Sequence, residues 1–262
     1  MGVDSGDLKD YPPTMHRDQL SRYLDQLLDP SRFRDYCPNG LQVEGRQEIT
    51  TVITGVTANL ALIEQAVAIG ADAILVHHGY FWRGEDPRVT GSRRARLALL
   101  LANGLNLYAY HLPLDAHPEI GNNAQLAAQL GFCESGRAGE QDLLSHGALP
   151  TPTTVSALAA AIETRLERKP LVIGEPELTV RRVAWCTGAA QGMFEDAIAL
   201  GVDAFVTGEI SEQQVHLARE SGVAFFAAGH HATERFGVRA LGERLTRDLG
   251  LAHRYFEVAS PV

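Results

Sequence analysis

Histidines and acids are concentrated in this sequence at points that directly follow short apolar runs. Five of the ten histidines lie at three such points, and two acids follow within a few residues. Neutral imidazole and carboxylate form a ligand set that suits zinc, iron, manganese, cobalt or nickel. The pattern therefore indicates a site for divalent metal ions. The candidate ligands are His77, His78, Asp115, His230 and Glu234.

The spacing of these residues restricts how they can share a site. Adjacent strand residues face opposite ways, so His77 and His78 can face one site only where the strand ends. Gly79 is expected to let the chain turn there. His230 and Glu234 share a face if a helix begins near His230. A carboxylate can bridge two metals, and such pairs lie about 3.5–4 Å apart.

Two further residues are candidates for catalysis. His111 stands four residues before Asp115 and is either a ligand or a partner that orients one. Glu209 follows another apolar run; it contacts a ligand, lines the pocket or caps the following helix. Either residue could shuttle protons. His231 points toward the site or away from it.

The elements that position these residues have an α/β pattern. Near-continuous apolar strands alternate with helices, which predicts mainly parallel sheets with helices on both faces. Ligands of such sheets bind outside the carboxyl ends of the strands, where the histidines and acids lie. The predicted helices include His16–Leu28, Arg93–Ala102, one capped by Thr154 or Ser156, and Glu212–Glu220.

The chain also repeats itself. Val52–Gly79 and Val183–Ile210 align without a gap, with eight identities in 28 columns and a shared Gly-x-Asp-Ala corner. An internal duplication explains this match. We therefore predict two related α/β lobes, residues 1–135 and 136–262, with the metal site between them.

Composition excludes several classes of protein. The chain has 262 residues and a net charge of -9, which argues against a broad nucleic-acid-binding surface. It has neither an apolar run of membrane-spanning length nor, at its start, the pattern of a signal peptide. Cys37, Cys133 and Cys186 form no CxxC pair, so we expect reduced thiols and a cytoplasmic location.

Other candidate sites are weaker. Cys37 has no histidine base nearby in the sequence, and no GxxxxGK[ST] loop is present. Arg93-Arg94 and Arg165–Lys169 are interpreted as solvated helix faces, although one of them could hold an anionic substrate.

Four segments of the sequence carry specific motifs: Asp35–Gly45, Val76–Glu85, Tyr110–Ala127 and Thr207–Gly237. These motifs resemble one known family, the Nif-three-like dinuclear metal centre proteins, whose bacterial members are named GTP cyclohydrolase 1 type 2 homologues. The resemblance implies a toroidal homohexamer, a trimer of dimers with the metal sites facing an inner cavity. It also implies that the five candidate ligands hold the metals, with Glu234 bridging.

The favoured function is metal-dependent hydrolysis by a metal-bound hydroxide. The expected substrate is small and anionic, nucleotide-like or a cyclic amide; cyclohydrolase activity is implied only by the family's name. Two alternatives remain open: a metal-handling or regulatory metal-binding protein without turnover, and a ring-forming scaffold.

Overall fold

Two β-sheets with helices on both faces make up most of the protein. The computed structural model describes residues 13–262. The N-terminal stretch, for which the sequence predicts no signal peptide, lies mostly outside the described residues. In the described part of the chain, no helix is both long and apolar enough to span a membrane.

The first sheet has five strands, and a short two-stranded pair lies apart from it. The pair joins β1 (Met15–His16) to β3 (Glu48–Ile49). In spatial order, the first sheet contains β13 (Ala252–Tyr255), β4 (Thr51–Thr57), β5 (Ala73–His78), β6 (Asn106–Ala109) and β2 (Gly40–Val43).

The second sheet has six strands. In spatial order, these are β7 (Cys133–Ala138), β8 (Leu144–Thr154), β10 (Thr179–Trp185), β11 (Ala204–Thr207), β12 (Ala224–Ala227) and β9 (Leu171–Ile173).

The α-helices include all those that the sequence predicts, with ends shifted by at most two residues where both ends were predicted. They are α1 (Arg17–Leu28), α2 (Leu60–Ala68), α3 (Gly91–Ala102), α4 (Leu112–Ala116), α5 (Asn122–Leu130), α6 (Val155–Leu166), α7 (Phe194–Ala199), α8 (Glu212–Ser221) and α9 (His230–Leu249).

Alternating residues of the central strands face opposite helix layers. In β5, Ala73 and Leu75 pack in a core with residues of α1 and α9, whereas Ile74 and Val76 pack with residues of α2 and α3. β11 alternates in the same way, because Val206 packs with α6 and Phe205 packs with α7. Burial on both faces explains why these strands read as continuous apolar runs.

Helix α1 shows how local sequence produces this packing. The His16 side chain accepts a hydrogen bond from the backbone N–H of Asp18, and Gln19 Oε1 accepts one from the His16 N–H. This capping box fixes the start of the helix. Leu20, Leu24 and Leu28 then recur on one face and are buried in the core.

We expect Leu24→Ala to lower the free energy of unfolding by about 3 kcal/mol, because Leu24 is fully buried and its removal leaves a cavity. Leu101→Ala, at a side chain that is 63% exposed on α3, should change it by less than about 0.5 kcal/mol. Denaturant titration measures both values. Equal effects would contradict this assignment of the core.

The prediction of mainly parallel sheets holds for the first sheet only. There, β13, β4, β5 and β6 are parallel, and β2 is antiparallel. In the second sheet, β10, β11 and β12 are parallel, but β7, β8 and β9 pair antiparallel. The fold is thus a mixed α/β fold, in which antiparallel strands lie beside the parallel strands of each sheet.

The C-terminal segment returns to the first sheet. Ala252 pairs with Thr51, so β13 lies beside β4, and α9 packs against β4 and α5. The boundary expected near residue 135 therefore divides the strands of the first sheet from those of the second sheet only for the part of the chain up to β12. After it, α9 and β13 connect the second sheet back to the first.

The repeated segments occupy equivalent positions in the two sheets. β4, α2 and β5 correspond to β10, α7 and β11, and the register pairs Val52 with Ala73 and Val183 with Ala204. The two aspartates of the shared Gly-x-Asp-Ala corner also make equivalent contacts. Each carboxylate accepts hydrogen bonds from two successive backbone N–H groups. These are Asp72 with Thr50 and Thr51, and Asp203 with Arg181 and Arg182.

Candidate metal centre

All five candidate ligands lie together where parallel strands end. Strand β5 ends with His77 and His78, Asp115 lies on α4, which follows β6, and α9 follows β12 and begins at His230. The position beyond the carboxyl ends of the strands is the one expected for a ligand site of a parallel sheet.

An inner group consists of His77, Asp115 and Glu234. His77 Nε2 lies 3.5 Å from Asp115 Oδ1 and 3.4 Å from Glu234 Oε1. All three side chains are less than 10% exposed. Their three potential ligand atoms lie within 4.8 Å of one another.

An outer group consists of His78, His230 and the second oxygen of Glu234. Glu234 Oε2 lies 3.3 Å from His78 Nε2 and 3.2 Å from His230 Nε2. His78 and His230 are 18% and 25% exposed, so this group is closer to solvent. His230 and Glu234 lie one turn apart on α9, as the four-residue spacing predicts.

The inner group brings opposite charges into a buried place. Burial opposes ionisation of His77, but the carboxylates of Asp115 and Glu234 outweigh it and raise the pKa of His77 to about 9. Burial raises the pKa of Asp115, whereas His77 and His78 hold the pKa of Glu234 well below its usual range, against the effect of burial. The two carboxylates thus need positive charge beside them.

The two outer imidazoles differ from each other. Burial lowers the pKa of His78 to about 3, so its ring is neutral near neutral pH, as a metal ligand must be. Burial acts on His230 as well, but Glu234 and Glu209 outweigh it and raise the pKa of His230 to about 9.

The donor set fits a pair of divalent ions. Glu234 Oε2 is buried and has no hydrogen-bond partner among the described residues, although two imidazole nitrogens flank it. A buried carboxylate oxygen in that position is costly unless a cation binds it. Each oxygen of Glu234 faces a different group, so this one carboxylate could bridge two ions.

Neighbouring side chains hold the inner ligands in place. His77 Nδ1 lies 3.0 Å from the Tyr110 carbonyl oxygen, which leaves Nε2 directed at the carboxylates. Asn122 Nδ2 and Thr187 Oγ1 both donate to Asp115 Oδ1, at 2.8 and 3.2 Å. Asn122 and Thr187 were not predicted, since their role depends on contacts between residues far apart in the sequence.

Gly79 has a different role from the expected one. It is not among the residues with positive φ in the described chain. A Cβ there would lie 2.2 Å from Gln42 Oε1 and 2.5 Å from the Cβ of Ala109. Gly79 is thus required by close packing of β2 and β6 against the end of β5, and not by a left-handed turn.

His111 is held by an aspartate that was not predicted. Its Nδ1 lies 2.7 Å from Asp35 Oδ1, and its ring centroid is 5.0 Å from that of His77. Burial opposes ionisation of Asp35, but the hydrogen bond from His111 outweighs it and lowers the pKa of Asp35 to about 2. Nε2 of His111 has no hydrogen-bond partner among residues 13–262 and stays available for a ligand or a substrate.

Glu209 and His231 lie next to the metal ligands but make other contacts. Glu209 Oε1 is 2.6 Å from His230 Nδ1, which leaves Nε2 of His230 directed at Glu234. Glu209 is not the cap of the following helix, since Ser211 occupies the N-cap position of α8. His231 pairs with Glu257 in the C-terminal segment.

Cys37 lies near Asp35 and His111 in space, which its sequence neighbours do not indicate. Burial, helped by the Asp35 charge, raises the pKa of the Cys37 thiol to about 12, and burial also raises that of Cys186. The nucleophile is the thiolate, which is scarce at these sites near neutral pH. This agrees with the low expectation for nucleophilic catalysis by Cys37.

At pH 8 we expect iodoacetamide to label exposed Cys133 and to leave Cys37 and Cys186 at least about tenfold less modified, since few of their thiols are ionised. Labelling of Cys37 should increase only as the pH approaches the raised pKa. Peptide mass spectrometry measures both. Labelling of Cys37 as fast as Cys133 at pH 8 would contradict this.

Two cavities adjoin the outer group and share His78 and His230 as lining residues. The larger one, about 530 Å³, is also lined by Trp82, His111, Asp115 and Glu234. The smaller one, about 390 Å³, lies against His231 and the C-terminal segment from Val258. The larger cavity thus reaches both groups of candidate ligands and is called the ligand cavity below.

Fold and site together define a class: mixed α/β proteins with histidine and carboxylate clusters beyond the ends of parallel strands. Within it, the chain belongs to the Duf34/NIF3 (NGG1p interacting factor 3) family, whose model matches residues 15–260. This confirms the family that the sequence motifs indicated.

The chain is similar to proteins named GTP cyclohydrolase 1 type 2 homolog. It is 55% identical to one from Neisseria meningitidis serogroup A over 247 residues, covering 94% of this chain and 99% of the relative. It is 51% identical to one from Escherichia coli K12 over 249 residues, covering 94% and 100%.

Solved structures of similar fold exist. One, described as protein ybgI of unknown function, has a TM-score of 0.91 and 50% identity, and the match covers 95% of this chain and 100% of that one. TTHA1606 from Thermus thermophilus has a TM-score of 0.86 and 34% identity, with coverage of 95% and 100%.

Proposed function

We propose that this protein holds two divalent metal ions per subunit and uses them to hydrolyse a small substrate. The observation that carries the proposal is the position of Glu234, which offers one oxygen to the inner group and the other to the outer group. The ligands would be His77 and Asp115 for one ion, His78 and His230 for the other, and Glu234 for both. The identity of the metal stays open among zinc, iron, manganese, cobalt and nickel.

The ions would supply Lewis acidity, which activates water as a nucleophile and polarises a carbonyl or phosphoryl oxygen. The chain's own residues would orient the substrate and move protons. His111 Nε2 is the candidate proton acceptor, because Asp35 holds Nδ1 and the ring lines the ligand cavity. Glu209 is proposed to position His230 instead of shuttling protons, since its carboxylate is engaged by Nδ1.

The experiment is a substrate screen of protein loaded separately with zinc, manganese and iron(II), using pools of cyclic amides, nucleotides and phosphoesters. We expect metal-dependent product formation in at least one pool. Loss of product in His111→Gln with unchanged metal content would support the proposed proton transfer. No turnover in any pool by protein with two bound ions would contradict the hydrolase proposal.

A metal-handling role is the second candidate, and one observation favours it. The outer group is partly exposed while the inner group is buried, so an outer ion could exchange with solvent. This role predicts rapid transfer of one ion per subunit to a chelator and retention of the other. Equally slow release of both ions would contradict it.

Three further expectations are kept as proposals. β4 pairs with β5 in the same register as β10 pairs with β11, and Asp72 and Asp203 accept equivalent backbone hydrogen bonds. Both observations support an internal duplication, which would place the metal site between two related lobes. Three free cysteines support a reducing, cytoplasmic location. A ring-shaped homohexamer, a trimer of dimers, follows from the family resemblance, and light scattering would test it.

A further inference from the structure

We propose that the ligand cavity selects a planar cyclic amide without a polyphosphate group. This inference rests on the proposed metal centre and goes beyond it, because it concerns the walls of the cavity and not the ligands of the ions. Three features carry it: an aromatic wall, a hydrogen-bonding pair and the charges of the lining residues.

The aromatic wall is formed by Trp82. Its ring centroid lies 4.9 Å from that of His111, with the planes nearly perpendicular at 81°. Trp82 Nε1 donates to the Gly79 carbonyl oxygen at 3.2 Å, which fixes the orientation of the indole beside the outer metal ligands. Apolar side chains on other parts of the lining, such as Leu143 and Met193, complete a lining suited to a flat ring.

Backbone strain is concentrated at this cavity. Of the five non-glycine residues with positive φ among the described residues, Asp29 and Glu167 are C-caps of α1 and α6. Of the other three, Gln141 lines the cavity, and Phe81 and Asp142 adjoin lining residues in the sequence, Trp82 and Leu143 respectively. Such conformations cost about 1–3 kcal/mol each and are typical of functional sites.

The loop with Gln141 offers complementary hydrogen-bonding groups. Gln141 Oε1 accepts from the backbone N–H of Arg34 at 2.7 Å, which leaves its Nε2 to donate to a ligand. The neighbouring Glu140 is also a lining residue, and an ionised carboxylate can only accept hydrogen bonds. Together they complement an adjacent C=O and N–H, the edge of a cyclic amide.

The charges of the lining residues disfavour binding of a polyphosphate in the ligand cavity. None of the residues that line the cavity is lysine or arginine, and neither arginine cluster of the sequence contributes to it. Five carboxylates lie in or next to the site, one more than the positive charges of two divalent ions: Asp35, Asp115, Glu140, Glu209 and Glu234. A triphosphate would therefore meet little uncompensated positive charge.

The test compares hypoxanthine, a neutral planar cyclic amide, with inosine 5′-triphosphate, which carries the same ring. The probe is tryptophan fluorescence of zinc-loaded protein. The chain has two tryptophans, and Trp185 is fully buried, so quenching by a stacked ring reports on Trp82. We expect saturable quenching by hypoxanthine and at least about tenfold weaker binding of the triphosphate.

Three variants, each studied by calorimetry, separate the contributions of Trp82 and Glu140 to binding. Trp82→Ala should weaken hypoxanthine binding up to about tenfold, and Trp82→Phe should retain most of the affinity. Glu140→Gln should weaken hypoxanthine binding but strengthen binding of the triphosphate, because one negative charge is removed. No binding of hypoxanthine, or a triphosphate that binds as tightly as the base, would overturn the inference.

These outcomes are distinct from those of the hydrolase proposal. Hypoxanthine bound without any turnover by the protein would support the cavity inference and count against hydrolysis. Turnover of phosphoesters by protein that does not bind hypoxanthine would support hydrolysis and overturn the cavity inference.

Discussion

Glu234→Gln is expected to reduce the metal content from about two ions per subunit to one or fewer. Glutamine keeps the size of the side chain but removes its negative charge and replaces one carboxylate oxygen by an amide nitrogen, which does not coordinate a cation. Because each oxygen of Glu234 faces a different group, one group loses the oxygen that residue 234 supplies, whichever way the amide turns. Elemental analysis of purified protein measures the change.

Thermal unfolding gives a second readout. Free zinc at about one hundred times the dissociation constant of a site stabilises the folded protein by about 2.7 kcal/mol per site. The unfolding temperature of the wild type should therefore increase with added zinc. Glu234→Gln should lose most of this increase. Glu220→Gln, at an exposed position on α8, is the matched control and should behave like the wild type. Equal zinc responses in all three proteins would refute the bridging role of Glu234.

The second large effect is expected from Gly188→Ala, at a position that the sequence did not single out. Gly188 has a φ of +69°, and a Cβ there would lie 2.1 Å from Glu234 Oε1 and 3.3 Å from His230 Nε2. Since the neighbouring atoms are themselves proposed ligands, an added methyl group must displace the carboxylate. We expect Gly188→Ala to lose both ions.

Gly222→Ala is the matched control for backbone strain. Gly222 has a φ of +72°, but a Cβ there would meet no atom within 4 Å. Both variants therefore carry the left-handed penalty of about 1–2 kcal/mol, and only Gly188→Ala also disturbs the site. Normal metal content in Gly188→Ala, or equal loss in both variants, would show that the contact with Glu234 is unimportant.

Much of the fold could be predicted because local patterns report local structure. The start of α1 follows from His16 and Gln19, and the strand β5 follows from an apolar run buried on both faces.

Strand β8 was missed because Pro150 and Pro152 discourage a strand. They fall between the pairs Ala148–Arg182 and Thr153–Val180, where the ladder between β8 and β10 is interrupted.

Pairing between distant segments was also beyond the sequence. β13 lies beside β4 through the pair Ala252–Thr51, and periodicity carries no information about which strand is the partner. Because of this pairing, the chain's last strand lies in the first sheet, and α9 contributes side chains to the cores of both sheets.

The candidate ligands could be predicted because their residue types are rare at strand ends and because helical spacing places His230 beside Glu234. The residues around them could not. Asn122 donates to Asp115, and its Oδ1 accepts from the backbone N–H of Gly237, which is 115 residues away. The role of Asp35 likewise depends on its contact with His111, which lies 76 residues further along the chain. Such roles exist only once the chain is folded.

Anomalous diffraction from crystals of zinc-loaded protein, recorded on both sides of the zinc absorption edge, measures directly where metal binds. We predict two peaks per subunit about 3.5–4 Å apart, one beside His77 and Asp115 and one beside His78 and His230, with Glu234 between them. A single peak, or peaks that lie away from Glu234, would contradict the dinuclear centre.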